Sequence, residues 1–324
     1  MPLDPHARRF LDLIAMGSAM GAGGEAGIEG KRRALANLSR LCRPRNLPEA
    51  LTRDLDLPGP AGPLPARLYG PVGAEAQTLL PGLLFFHGGG LTAGDLDTHD
   101  TICRALAASG GLRVLSIAYR LAPEHPFPAA LEDAAAALAH LRAEAAGLGI
   151  DPARIALGGE SAGAGLAARL CQERGREGIA AQLLLCPVLD LAGTTPSRQD
   201  FAKGHYLDAG TVARDIAALG LTEAELADPR VSPLREPDLA GLPPTILHTA
   251  AFDMMRDEGA AYAGRLAEAG VPVRHTCHPG MIHAFYALGA LVPASAAALA
   301  CIGAELADLL QPQAAGGSPE RHAA

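Results

Sequence analysis

Apolar side chains recur at helical spacing along the first 45 residues: Phe10, Leu11, Ile14 and Met16, then Leu35, Leu38 and Leu41, with a glycine-rich segment at 17–30 between the two sets. The spacing predicts two short helices outside any sheet. From about residue 51 the pattern changes. Runs at 51–57 and 66–69, separated by Pro and Gly, read as an antiparallel pair that opens a sheet. Six further apolar runs follow at 83–86, 114–118, 155–158, 183–186, 245–249 and 271–277. Between most of them lie Ala/Leu-rich stretches of helix length, at 98–109, 128–146, 162–174 and 257–269, with another at 292–310. Continuous apolar strands that alternate with helices are buried on both faces. The expectation is an α/β fold: an eight-stranded, mostly parallel sheet flanked by helices, with right-handed crossovers.

One stretch breaks the alternation. Across 190–243 strand-like runs cease, and polar, Pro-containing sequence surrounds one helical pattern near 209–219. This reads as a lid inserted into the core. The expected division is therefore N-terminal cap helices in 1–50, a core in 51–189 and 244–311, a cap insertion in 190–243 and a disordered tail in 312–324, whose sequence PQAAGGSPERHAA has no periodicity.

Composition narrows the function classes. Of 324 residues, 49% are hydrophobic and 19% charged, enough to bury a large core and to exclude a disordered chain. The net charge of −8 offers no basic stripe, so nucleic acid is not an expected partner. Six cysteines at 42, 103, 171, 186, 277 and 301 form no CxxC pair and no ligand-like spacing with histidine; they read as reduced, mostly buried thiols. The apolar run at 10–16 is short and broken by Asp12, unlike a secretory leader, and no run reaches the roughly 18 apolar residues of a membrane span. A cytoplasmic protein without membrane association is the expectation.

The chemistry concentrates where strands end. Gly159-Glu160-Ser161-Ala162-Gly163 follows one strand and precedes a helix, the context in which a G-x-S-x-G segment forms a nucleophile elbow. The turn is tight enough that a Cβ two positions to either side of the serine would collide with neighbouring backbone, which is why glycine is needed at both. Upstream, an apolar strand ends in His87-Gly88-Gly89-Gly90. Amides of Gly89, Gly90 and Ala162 can converge on an oxyanion, with Gly88 an alternative for one of them. The spacing matches neither phosphate-binding glycine pattern. His87 reads as a loop-orienting residue. In the chain order nucleophile, acid, base, Asp253 lies just past the 245–249 strand and His283 in the loop after the 271–277 strand. Asp257 and Glu258 compete for the acid, His275 and His278 for the base. Asp257 reads better as a cap of the following helix, and the two histidines as packing or surface groups.

These segments, HGGGLTAGDLDTHD (87–100), YRLAPEHPFPAALED (119–133), FDMMRDEG (252–259) and PGMIHAF (279–285), together with the elbow, resemble the hormone-sensitive-lipase-like bacterial esterases of the α/β-hydrolase fold. The resemblance covers roughly 50–310 and implies that Ser161, Asp253 and His283 are the triad, that the 87–90 loop binds the oxyanion, and that helices from the N-terminus and an insertion form a lid. Two positions depart from the family pattern: Glu160 stands where Asp is common, and Ala164 where Gly is usual. Glu160 is read as orienting nearby loops. Tyr119, Arg120, Glu124 and His125 are read as a buried polar brace behind the site.

The expected reaction is hydrolysis of small-molecule, short- to medium-chain carboxylic esters through an acyl-enzyme, with no metal or organic cofactor. An amide, lactone or carbamate hydrolase would use the same triad, and a ligand receptor would have lost the base, which is present here. The 292–310 helix is a candidate homodimer surface.

Overall fold

Alternation along the central strands sets the layering. In β3 (Leu80–Phe86), Leu83 and Phe85 join one buried cluster and Leu84 and Phe86 another, and none of the four is exposed. The first cluster is closed by Ile102 and Leu106 of α3 (Asp100–Gly110) and by Leu299 and Ile302 of α9 (Ala294–Leu309). The second is closed by Leu138 of α4 (Ala129–Glu144), Leu170 of α5 (Ala162–Arg174) and Leu266 of α8 (Arg256–Glu268). Each such side chain contributes about 2 kcal/mol by leaving water. The sheet is thus the middle layer of three. The computed structural model describes residues 2–17, 27–75, 78–174 and 178–312, so nearly all of the expected tail lies outside the described residues.

The remaining strands are β1 (Ala50–Gly59), β2 (Gly62–Pro71), β4 (Arg113–Ile117), β5 (Ile150–Glu160), β6 (Ala181–Leu185), β7 (Thr245–Phe252) and β8 (Val273–Ile282). Among the described residues they form one eight-stranded sheet in the order β1-β2-β4-β3-β5-β6-β7-β8. β2 is antiparallel to both of its neighbours, and every pair from β4 to β8 is parallel. This is the expected α/β-hydrolase architecture. Two strand boundaries depart furthest from the sequence reading. β5 begins at Ile150 because that residue already pairs with Leu80. β8 runs on to Ile282 because an irregularity between Ala250 and Phe252 resets its pairing with β7, so His278 lies inside the strand rather than beyond it.

Outside the sheet, α1 (Pro5–Gly17) and α2 (Ile28–Cys42) precede β1, and α2 starts inside the segment read as a glycine-rich interruption. Between β6 and β7 lie α6 (Pro196–Asp200) and α7 (Ala209–Ala218), of which only the second was legible as a helix. Asp208 caps α7 by accepting the Thr211 amide at 2.7 Å. Phe10 of α1 packs edge-on against Tyr206, with ring centroids 5.5 Å apart, so the N-terminal helices and the 190–243 segment meet.

All six cysteines are free; Cys277 and Cys301 are exposed and the other four buried. The larger apolar side chains of α9, Leu299, Ile302 and Leu306, face its own core. No described helix is long and apolar enough to cross a membrane.

Candidate active site

Register alone brings the key residues together. Phe86 pairs with Gly159, so the loop that begins at His87 starts beside Glu160 and Ser161. Phe252 pairs with Ile282, so the next residue on each strand, Asp253 and His283, are neighbours as well. Both junctions sit at the carboxyl end of the parallel strands, where open α/β sheets bind ligands.

Ser161 occupies the turn between β5 and α5 with φ +55°, a left-handed conformation costly for a residue with a Cβ. Its amide donates to Leu185 O at 2.8 Å, which holds the turn down on β6. A Cβ on Gly159 would lie 2.5 Å from the Gly163 carbonyl carbon, and one on Gly163 would overlap the Phe86 and His87 carbonyl oxygens. Glycine is thus obligatory at both sites.

A continuous hydrogen-bonded chain runs through the site. His283 Nε2 lies 2.9 Å from Ser161 Oγ, and His283 Nδ1 lies 2.8 Å from Asp253 Oδ2. Asp253 Oδ1 accepts the Met255 amide at 2.9 Å, so the carboxylate cannot rotate away. All three side chains are buried. Burial pulls the His283 pKa down, but the Asp253 carboxylate, with Glu160 and Glu258 farther off, more than offsets it, and the net shift is upward. Ser161 and His283 are positioned for a catalytic triad.

The rival residues are engaged elsewhere. Asp257 is in the first turn of α8, but its Oδ2 accepts the Ser197 amide at 2.8 Å, tying α6 to α8 rather than capping its own helix. Glu258 is fully buried against Arg198 Nη2 (3.1 Å) and the Leu189 amide (3.2 Å), and burial raises its pKa to about 7. His275, exposed on the edge strand β8, contacts Thr249 Oγ1 of β7, and His278 stacks on His248.

The glycine loop shows one correction. The Gly88 amide donates to His99 Nε2 at 2.9 Å, so it is not open to an oxyanion. The amides of Gly89, Gly90 and Ala162 have no acceptor among the described residues. His87 is buried, stacked on Tyr119 at 4.2 Å, and kept neutral by burial, which lowers its pKa to about 3. Tyr119 in turn donates to His87 O at 2.6 Å. Glu160 Oε2 lies 3.3 Å from His99 Nε2, whose lone pair is already committed to Gly88, and Glu160 Oε1 lies 3.9 Å from His283 Nε2.

The expected brace is divided. Tyr119 is buried and Arg120 partly so, paired with Asp133, but Glu124 and His125 are exposed. Glu124 instead meets Arg32 of α2 at 2.7 Å.

Three residues packed around the glycine loop carry no role in the sequence reading. His99 lies within the 87–100 motif, where the sequence assigns it no role. Lys31 and Asp215 carried no local signal, yet they pair at 2.6 Å directly above the glycine loop. The cavity over Ser161 has a volume of about 730 Å³ and is lined chiefly by apolar side chains, among them Leu35 and Leu38 of α2, Val212 and Ile216 of α7, Leu91 and Val188. Among the described residues the one cluster with metal-ligand proximity is Cys186, Asp253 and His283. Two of these are already bonded to each other, and burial pushes the Cys186 thiol well above its usual range, so it packs behind the triad as a neutral group.

Comparison with known proteins bears on this geometry. A family model described as the alpha/beta hydrolase fold matches residues 83–287. The carboxylic ester hydrolase LipN of Mycobacterium tuberculosis is 43% identical over 257 residues, 75% of this chain and 66% of that protein. Esterase LipI of the same organism is 37% identical over 298 residues, 90% of this chain and 91% of LipI. A solved ester hydrolase from the metagenome of Lake Arreo, complexed with a derivative of bipyridine phosphonate, superposes with a TM-score of 0.88 at 39% identity, covering 94% of this chain and 98% of that one.

Proposed function

The chain belongs to the alpha/beta hydrolase fold family, and from that premise we propose that Ser161, His283 and Asp253 are the nucleophile, base and orienting acid of its ester hydrolysis. The protein is a serine carboxylesterase. The observation that carries the residue assignment is the unbroken hydrogen-bonded chain from Asp253 through His283 to Ser161 at the floor of an apolar cavity.

Ser161 Oγ attacks the ester carbonyl carbon while His283 Nε2 takes its proton. The carbonyl oxygen becomes an oxyanion facing the amides of Gly89, Gly90 and Ala162, each donor lowering the barrier by about 3 kcal/mol. The N-terminus of α5, 13 residues long and beginning at Ala162, adds its dipole to the same charge. His283 then protonates the leaving alkoxide. Water, deprotonated by the same imidazole, attacks the acyl-enzyme and regenerates Ser161. Asp253 holds the imidazole tautomer and the charge that forms on it.

Helices α1 and α2 together with residues 190–243 act as the cap, and 51–189 with 244–311 as the catalytic core. Leu, Ile and Val side chains from both cap segments face the cavity and select short- to medium-chain acyl groups. Hydrolysis of p-nitrophenyl esters from acetate to palmitate, run beside Ser161→Ala, tests the reading. Activity should peak at short or medium chains and vanish in the variant. Turnover rising through palmitate would remove the chain-length assignment, and inactivity on every ester would remove the reaction.

A further inference from the structure

One ammonium group of the cap reaches the carbonyl that precedes an oxyanion donor. Lys31 Nζ, carried by α2, donates to Gly89 O at 2.9 Å, to Thr92 Oγ1 at 3.0 Å and to both Asp215 oxygens at 2.6 Å. Asp215 is buried and is carried by α7. Thr92 is buried too and donates to Asp215 Oδ1 at 2.8 Å. Three segments, two of them from the cap, therefore meet at this lysine, and the third is the loop that holds the oxyanion donors.

The peptide plane makes the contact consequential. Gly89 C=O and Gly90 N–H belong to one trans peptide unit and point in opposite directions. Fixing the carbonyl oxygen fixes the direction of the amide. Gly89 O also accepts the Thr92 and Ala93 amides at 3.3 and 3.1 Å, so the loop curls around this oxygen and Lys31 closes the coordination from outside. The carboxylate beside it adds an electrostatic condition. A Cβ on Gly90 would overlap Asp215 Oδ2 and lie 2.9 Å from Lys31 Nζ, so a negative charge abuts the backbone that must receive a developing oxyanion. Left unpaired, that charge would oppose catalysis. Paired with Lys31, it becomes a neutral anchor.

We propose that Lys31 is a positioning residue for catalysis: held by Asp215, it fixes the Gly89–Gly90 peptide so that the Gly90 amide faces the oxyanion, and it cancels the Asp215 charge beside that amide. Closure of the cap and assembly of the oxyanion hole are then one event. The inference rests on the esterase assignment of Ser161 and on Gly90 as an oxyanion donor.

Steady-state kinetics of Lys31→Met, Asp215→Asn and the double variant on p-nitrophenyl acetate test it, because a two-carbon acyl group makes little demand on the cap walls. In Lys31→Met, kcat should fall on the order of 100-fold with KM within about twofold. Asp215→Asn leaves the cation in place and should lose less than about tenfold, and the double variant should recover part of the loss of Lys31→Met. Equal losses in the two single variants without recovery in the double, or a kcat for Lys31→Met within about twofold of wild type, would overturn the proposal. So would a defect confined to KM and growing with acyl length, which is what a loosened cap alone predicts. If Lys31→Met does not fold, the charge-free double variant decides: a kcat loss at unchanged KM upholds the role, and wild-type kcat ends it. Wild-type turnover that Ser161→Ala abolishes but Lys31→Met leaves intact counts against Lys31 alone. Absence of wild-type turnover counts against the esterase assignment beneath it.

Discussion

The strand ends and the helices above them contribute to one site but are held by different forces. Ser161, Asp253 and His283 sit one residue past β5, β7 and β8, and their spacing follows from the ladder register between neighbouring strands. The cap meets the core through a few polar ties between residues distant in sequence: Lys31 to Gly89 and Thr92, Arg32 to Glu124 and Arg198 to Glu258. A ladder distributes its constraint over many backbone hydrogen bonds, so no single side chain sets it. A polar tie concentrates the constraint in one pair, which one substitution can break. Chemistry is thus placed on the part that point changes barely deform, and substrate access and loop alignment on the part they can tune.

The largest effect should come from the rigid half, without disturbing its fold. Ser161→Ala should lower kcat about a million-fold, as removal of a nucleophile does when the triad acts as a unit. Its thermal midpoint should stay within a few degrees of wild type, because the backbone at φ +55° is held by the Leu185 carbonyl rather than by the hydroxyl. A large fall in midpoint would show that the elbow depends on its side chain.

Asp253→Asn should cost about ten-thousand-fold in kcat, because the imidazole loses its tautomer. The pH profile carries a second readout. Only neutral His283 accepts the serine proton, so kcat/KM rises as pH climbs through its pKa. Against the pull of burial, the Asp253 carboxylate holds that pKa above the ordinary 6.5, so the acid limb of the wild type should lie above pH 6.5. In Asp253→Asn the limb should move to lower pH, and in Glu160→Gln it should move the same way by less. A limb that moves up in either variant would contradict the assignment.

At the joint between core and cap, Arg198→Met removes the partner of a fully buried carboxylate. It should cost about 3–5 kcal/mol at pH 8, read by urea unfolding. Glu258 carries a pH signature of its own. Its folded pKa is raised from 4.5 to about 7, so between those values the folded protein holds a proton that the unfolded chain releases. Stability must then fall as pH rises across that window and level off above it. Glu258→Gln should flatten this slope, and Arg198→Met should cost less at pH 5, where Glu258 is neutral, than at pH 8. A wild-type curve that rises through pH 5–7 relative to Glu258→Gln would reverse the sign and remove the argument.

The same division explains what the amino-acid order revealed. Strand ends were legible because their determinants are local: an apolar run, then a glycine or histidine that the turn requires, as in 83–90 and 155–163. Gly88 misled because its amide partner, His99, is supplied by another part of the loop. The proposed cap shows in the sequence only as helical spacing in 1–45 and as a break in alternation at 190–243. Lys31 and Asp215 stand 184 positions apart, and nothing about either signals the other. The motif containing Glu124 and His125 predicts burial for both, but both are exposed, and Glu124 meets α2 at the surface.

The smallest effect separates the two residues with which α2 grips the oxyanion loop. Arg32 Nε donates to Thr92 O at 2.8 Å, two carbonyls beyond the one that follows Gly90, while its guanidinium meets Glu124 and the Ala122 carbonyl. Thr92 O does not share a peptide with an oxyanion donor, so this contact steadies the loop without aiming an amide. Arg32 also lowers the Glu124 pKa to about 2, which means the pair contributes at pH 7 and fades as pH falls through that value. Because Glu124 is half exposed, solvent screens the pair and Glu124→Gln should change stability by about 0–1 kcal/mol. Turnover of p-nitrophenyl acetate by Glu124→Gln should stay within about twofold of wild type, against the large loss expected for Lys31→Met, one position from the Arg32 partner of Glu124. A kcat loss in Glu124→Gln comparable to that of Lys31→Met would mean that α2 acts on the loop as a whole, and the distinction between gripping it and aiming it would disappear.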